Sequence, residues 1–245
     1  MNASGFLVSE GFIMTDEAAC TETQKIPSLP DGAYALKEVE LTEKGQVTVQ
    51  LRDQLKIYTN NRFMFAFVHP EYGIDVGAGI ATWKNSVMVE EPRVNQKGAV
   101  NGLTFDIDIK HTPAGFSQTL LGMTYEDGRC LDMVESWVRA SSTISPFDGL
   151  WQLKEANRVK TKIIGGGHFI CLETVYKEGI SDAVFWFGTC TFNNDAEALE
   201  TVLSSSNQKY IGAHQTLKVA LTDDANFSQT FILDGAEVIE PFLRM

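Results

Sequence analysis

Glu173 is the residue whose neighbours best suit it to chemistry. It ends the row Phe169-Cys171-Glu173, which matches Phe63-Phe65-Phe67 in the first half of the chain. A carboxylate therefore stands where an aromatic ring is expected. Burial without a partner disfavours the charged form and raises a carboxylate's pKa, which suits a general acid or base. His168 opens the same segment, where the first half has Arg62, and is the candidate partner in proton transfer. The plain alternative is that Glu173 lies near a strand end and reaches water.

Gln118 and Gln229 suggest binding rather than catalysis. They sit in Phe116-Gln118-Leu120 and Phe227-Gln229-Phe231, where every second residue is apolar. An amide on an otherwise greasy face can orient a ligand or bond to nearby backbone. Trp83, Phe65, Trp186, Tyr58 and Arg62 complete the candidate ligand contacts. Glu135 and Glu240 share a face with Arg139 and Arg244, and an ion pair beside a closing aromatic is their expected role.

Other chemistries lack their residues. His69, His111, His168 and His214 show no metal-ligand spacing, so no metal is expected. No G-x-S-x-G, P-loop or dinucleotide glycine fingerprint occurs, and no cofactor is expected. Gly165-Gly166-Gly167 reads as a hairpin turn between strands. The four cysteines, Cys20, Cys130, Cys171 and Cys190, form no CxxC pair. Without an export signal, reduced thiols in the cytoplasm are the expectation, with a Cys171–Cys190 disulfide left open. Net charge is −12, with no basic cluster for a phosphate backbone and no apolar run of the ~18 residues a membrane helix needs. Neither nucleic acid nor membrane is an expected partner. A homodimer stays open.

The elements that must position these residues come as a repeat. DGAYALKEV (31–39) returns as DGLWQLKEA (148–156), KIYTNNRFMFAFV (56–68) as KIIGGGHFICLETV (162–175), and FSQTL (116–120) as FSQTF (227–231). Gly79 matches Gly188, and ESWVR (135–139) matches EPFLR (240–244). The segments are short, rich in β-branched and aromatic residues, and separated by turn signals, which predicts an all-β fold. The stretches 85–94 and 195–206 are read as strands. Leu103, Phe105, Ile107 and Ile109 alternate with polar residues. A twisted antiparallel sheet of this size closes into a barrel, which removes its edges. The expected organisation is a tail at 1–29, a barrel at 30–139, a linker at 140–147 and a second barrel at 148–245; one larger barrel is the alternative. Met64, Ala66 and Val68, like 184–187 (VFWF), make strands apolar on both faces. The two units are therefore expected to pack against each other through them.

Gly149-Leu150-Trp151 resembles the G-x-W signature of lipocalins, within the calycin superfamily, and Arg244 resembles the arginine that lies across that tryptophan. In the first unit Tyr34 and Arg139 take these places. The order of motifs is also similar to bacterial lipocalin-like domains: Lys56 to Phe63, Gly79 to Trp83, Phe116 to Gln118, then Glu135-Trp137-Arg139. The resemblance implies two tandem up-and-down barrels, each with an apolar cavity open at one end. It implies no single chemistry. Two functions follow as expectations: binding a small apolar or amphipathic molecule, or cofactor-free isomerase, cyclase or lyase chemistry through Glu173.

Overall fold

Two tight hairpins set the architecture. Asn60-Asn61 and Gly166-Gly167 all have positive φ, at +49°, +59°, +62° and +63°. This two-residue turn matches the right-handed twist of the strands it joins. The computed structural model describes residues 31–84, 87–124, 128–194 and 196–245; the tail expected at 1–29 lies outside them.

The first barrel runs β1 (Gly32–Glu43), β3 (Leu55–Thr59), β4 (Arg62–His69), β5 (Gly73–Lys84), β6 (Val87–Asn95), β8 (Phe105–Thr112), β9 (Gly115–Thr124) and β10 (Cys130–Ser141), and β10 pairs back onto β1. Two short strands hang from this ring. β2 (Gln46–Gln50) pairs with the end of β1, and β7 (Gly98–Ala99) pairs with β6. The second barrel is a closed meander of β11 (Gly149–Lys154), β12 (Arg158–Gly165), β13 (His168–Lys177), β14 (Ile180–Asn194), β15 (Glu197–Ser205), β16 (His214–Asp223), β17 (Asn226–Leu233) and β18 (Ala236–Arg244). The fold is all-β, with two closed eight-stranded antiparallel barrels in tandem.

Each barrel turns a corner at a glycine bulge. The pairing shifts register between Ala78 and Gly79, and again between Phe187 and Gly188. A Cβ on Gly79 would lie 2.0 Å from Glu91 O, and one on Gly188 1.8 Å from Thr201 O. Only glycine lets the neighbouring backbone come this close. The seams differ. β1 pairs with β10 from Ala33 to Thr42, but β11 meets β18 only at Trp151↔Arg244 and Gln152↔Leu243. Pro241, with no N–H, cannot extend that ladder.

An aromatic residue under an arginine closes one end of each barrel. The Arg244 guanidinium lies 4.1 Å from the Trp151 ring, and Arg139 lies 5.5 Å from the Tyr34 ring. The expected pairing with the nearby carboxylates does not occur. Arg139 donates to Tyr34 Oη at 3.0 Å, and Arg244 donates to the carbonyls of Asp148 and Asp224. Backbone oxygens and a phenol satisfy these guanidinium groups, which frees Glu135 and Glu240 for the interior.

The barrels share a core. Ala33, Leu55, Ile57, Met64, Ala66, Val76 and Ala78 pack with Leu150, Ile163, Ile170, Leu172, Phe185 and Phe187. Equivalent positions of the repeat face each other here, the self-complementary pattern of a two-fold interface. The two-sided apolar strands foreseen in the sequence meet at this face. Val68, expected to join them, is 51% exposed; it lies past the edge of the contact. The Gly166 turn presses on barrel 1, where a Cβ would lie 2.3 Å from Ala33 N. In the matching place, Asn60 donates to Asp148 O at 3.5 Å.

Candidate functional site

A lysine lies inside each barrel. Lys56 on β3 points inward beside Tyr58, 2% exposed, while Ile57 between them faces the other barrel. A buried ammonium needs a counter-ion and acceptors. Lys56 Nζ has Glu90 Oε1 at 2.7 Å and donates to Gln118 Oε1 at 3.1 Å. Rings of Tyr58, Phe63, Phe65 and Trp137 surround it, with centroids 5.2–5.9 Å away. Tyr58 Oη donates to Glu90, and Gln118 Nε2 donates to Glu135. Glu135 also accepts from Trp137 Nε1 at 3.2 Å. Burial, and then the neighbouring Glu90, push the Tyr58 phenol well above its ordinary pKa. Burial also raises Glu135, against the opposing pull of Lys56 and Arg52.

Barrel 2 repeats the frame. Lys162 Nζ reaches Glu200 at 2.5 Å and Gln229 Oε1 at 2.6 Å, and Gln229 Nε2 donates to Glu240 at 2.7 Å. The quartet Lys56, Glu90, Gln118 and Glu135 thus recurs as Lys162, Glu200, Gln229 and Glu240. Barrel 2 adds Lys160, with Glu240 at 2.5 Å, Glu173 at 3.0 Å and the Trp186 ring at 5.4 Å. Arg158 adds longer contacts to Glu173 and Glu240 at 3.6 and 3.5 Å. Burial disfavours the ammonium of Lys162, yet Glu200 and its neighbours hold that lysine's pKa above the usual value.

The frame differs where Lys160 would align. Barrel 1 has Gln54 there and Phe67 in place of Glu173. A cavity of about 100 Å³ opens between Gln54, Phe65, Phe67, Phe105, Met133 and Glu135. Its rim carries Arg52, His69 and Asp75. Gln54 is 5% exposed, and its Oε1 has no hydrogen-bond partner. A buried carbonyl left without a donor costs about 1–3 kcal/mol. A larger concavity, about 690 Å³, is an open groove along the short β11–β18 seam. It lies away from both interior lysines, so we place the candidate site in the barrel 1 cavity.

No family model and no curated protein matches this sequence.

The structure gathers some predicted site residues and scatters others. Tyr58, Phe65 and Gln118 meet in barrel 1, and Trp83 packs on the same core. Gln229 and Trp186 belong to the lysine network of barrel 2. Arg62 lies outside the cavity: its Nε donates to Met245 O at 2.8 Å across the barrel junction. His168 and Glu173 do not form a pair. Five residues apart on β13, they point to opposite faces, and His168 Nδ1 bonds Gly166 O at 2.8 Å. The Glu173 side chain, 21% exposed, is ion-paired rather than isolated in an apolar row. Cys171 and Cys190 are free thiols, and burial pushes Cys171 up to about 12. The sequence reading missed Lys56, Lys160, Lys162, Glu90, Glu200 and Gln54. A signal existed: the Gly166-Gly167 turn pairs Gly165 with His168, and counting back sets Lys160 opposite Glu173.

Proposed function

We propose that the protein binds a small amphipathic molecule in the cavity of the first barrel, and that the fold is lipocalin-like. The observation that carries this is the unpartnered oxygen of Gln54, a residue that lines a cavity walled by Phe65, Phe67 and Phe105. A ligand that donates to Gln54 and lays an apolar body on the rings would satisfy both surfaces. The arginine over an aromatic at the closed end of each barrel supports the lipocalin-like reading. The cavity is small, with room for a few heavy atoms or about three waters at ~30 Å³ each. Proton transfer by Glu173 loses its support, because Lys160 and Arg158 engage that carboxylate.

The test is native mass spectrometry of the purified chain beside Met133→Trp, which fills the cavity. The expected result is a small co-purified mass on the natural protein, lost from a variant that stays folded. A mass retained equally by both proteins, or none on either, would remove the proposal.

A further inference from the structure

The two barrels differ in interior charge, and the difference says what the cavity should hold. In barrel 2, Arg158, Lys160 and Lys162 face Glu173, Glu200 and Glu240, three cations against three carboxylates. The aligned positions of barrel 1 carry Arg52 and Lys56 against Glu90 and Glu135, and Asp75 adds a third carboxylate at the rim. The missing cation is at Gln54. In barrel 2, Lys160 Nζ binds Glu240 and Glu173 and rides on Trp186. Their barrel 1 counterparts are Glu135, Phe67 and Gly77; the Phe65 ring covers Gly77, where a Cβ would lie 2.6 Å from Phe65 Cε1.

Glu135 consequently has only neutral donors, Gln118 and Trp137. Among the described residues no lysine, arginine or histidine nitrogen lies within 4 Å of it; Lys56 is engaged by Glu90 and Gln118. Arg52 is turned to the rim, bonded to Gln50 Oε1 at 2.9 Å and lying 4.8 Å from the Phe67 ring. Asp75, whose carboxyl feels Arg52, offsets its charge there. The cavity is thus lined by a carboxylate with no cation within 4 Å among the described residues, by a residue with an unused carbonyl oxygen and by aromatic faces. Each of the three favours an ammonium group.

Building on the ligand-binding reading, we propose that the barrel 1 cavity takes a small protonated amine, whose ammonium occupies the place Lys160 Nζ holds in barrel 2. Its N–H groups donate to Glu135 and to Gln54 Oε1, and its short apolar body lies on Phe65, Phe67, Phe105 and Met133.

The experiment titrates the full chain, labelled at methionine methyls, with isobutylammonium, isobutanol and isobutyrate, followed by NMR. These probes share size and shape and differ in charge. Isobutylammonium should bind at least about tenfold tighter than either control, a difference of about 1.4 kcal/mol. It should shift the methyls of Met123 and Met133, which line the cavity, and leave Met64 at the barrel interface unmoved. Gln54→Lys should supply the missing ammonium from within, keep the folded spectrum and weaken isobutylammonium by at least about tenfold. Equal binding of the amine and the alcohol would overturn the charge inference while leaving a ligand cavity in place. Tightest binding of isobutyrate, or undiminished amine binding in a folded Gln54→Lys protein, would overturn it too. If no probe binds, the inference falls, and the co-purification experiment decides separately whether the cavity reading stands.

Discussion

Barrels 1 and 2 keep the same buried quartet but balance it differently. In barrel 2 every interior carboxylate has a cation within 3.0 Å. Lys160 and Trp186 occupy the positions that Gln54 and Gly77 take in barrel 1. Barrel 1 has no second lysine beside the quartet, and a cavity lies next to Glu135, the counterpart of the carboxylate that Lys160 binds. The lesson is that the Lys-Glu-Gln-Glu quartet is compatible with either a filled or a partly empty barrel. The residues two positions before the shared lysine, and across the strand from them, decide which.

The sharpest contrast should separate Glu240 from Glu135. Removing one partner of a buried ion pair typically costs about 3–5 kcal/mol. Glu240→Gln should lie toward the lower end, because Glu173 still faces Lys160 at 3.0 Å. Glu135→Gln should cost little at neutral pH, since the glutamate is buried without a cation within 4 Å. Its pKa is raised in the fold. Such a group contributes stability that is full below the unfolded value near 4.5 and is lost as pH rises through the folded one. The deficit of Glu135→Gln relative to the natural protein should therefore be greatest in acid and shrink, or reverse, toward neutral pH. Urea unfolding of both variants across pH 4–8 would check this, and equal losses at pH 7 would erase the contrast between the barrels.

Much of the fold was legible because its signals are local and occur twice. The paired turns, the glycines at the bulges and the aromatics under arginine could each be read from a few residues. The inward lysines were not, for a physical reason. β3 and β12 are buried on both faces, one by the barrel interior and one by the partner barrel. Alternation then no longer separates inside from outside. Lysine is rarely fully buried, so the pattern alone gives Lys56 and Lys162 no interior role. Glu173 stands out in its aromatic row, but its significance depends on Lys160 across the strand. The cavity was less legible still, because it depends on side-chain length at Gln54 and on how the Phe65 ring packs over Gly77.

The shared core gives a second way to sharpen the comparison. Equivalent strands of both units bury Met64, Ile170, Phe185 and Phe187 jointly, and a fully buried side chain of this size contributes about 1.5–3 kcal/mol. Neither barrel should therefore be stable alone, and the whole chain should unfold in one transition. Phe185→Ala should lower that transition by about 3–5 kcal/mol in the manner of a core truncation, without splitting it. Two separate transitions by calorimetry, or two soluble folded halves, would mean that the barrels are independent despite this interface.

The smallest expected effect concerns the two aromatic closures. Arg244 lies closer to its ring than Arg139 does, at 4.1 against 5.5 Å. Its hydrogen bonds go to backbone carbonyls at the start of β11 and between β16 and β17. A cation over a ring contributes about 0.5–2 kcal/mol, more when desolvated. Arg244→Ala should therefore destabilise by about 2 kcal/mol and Arg139→Ala by about half that. The long β1–β10 ladder holds the first seam with or without its arginine, whereas the second seam has two paired positions, one of them Trp151 and Arg244 themselves, and the bond from Met245 N–H to Leu150 O. Hydrogen exchange should thus report loosening near Trp151 in Arg244→Ala and little change near Tyr34 in Arg139→Ala. If both seams loosen alike, ladder length is not what distinguishes them.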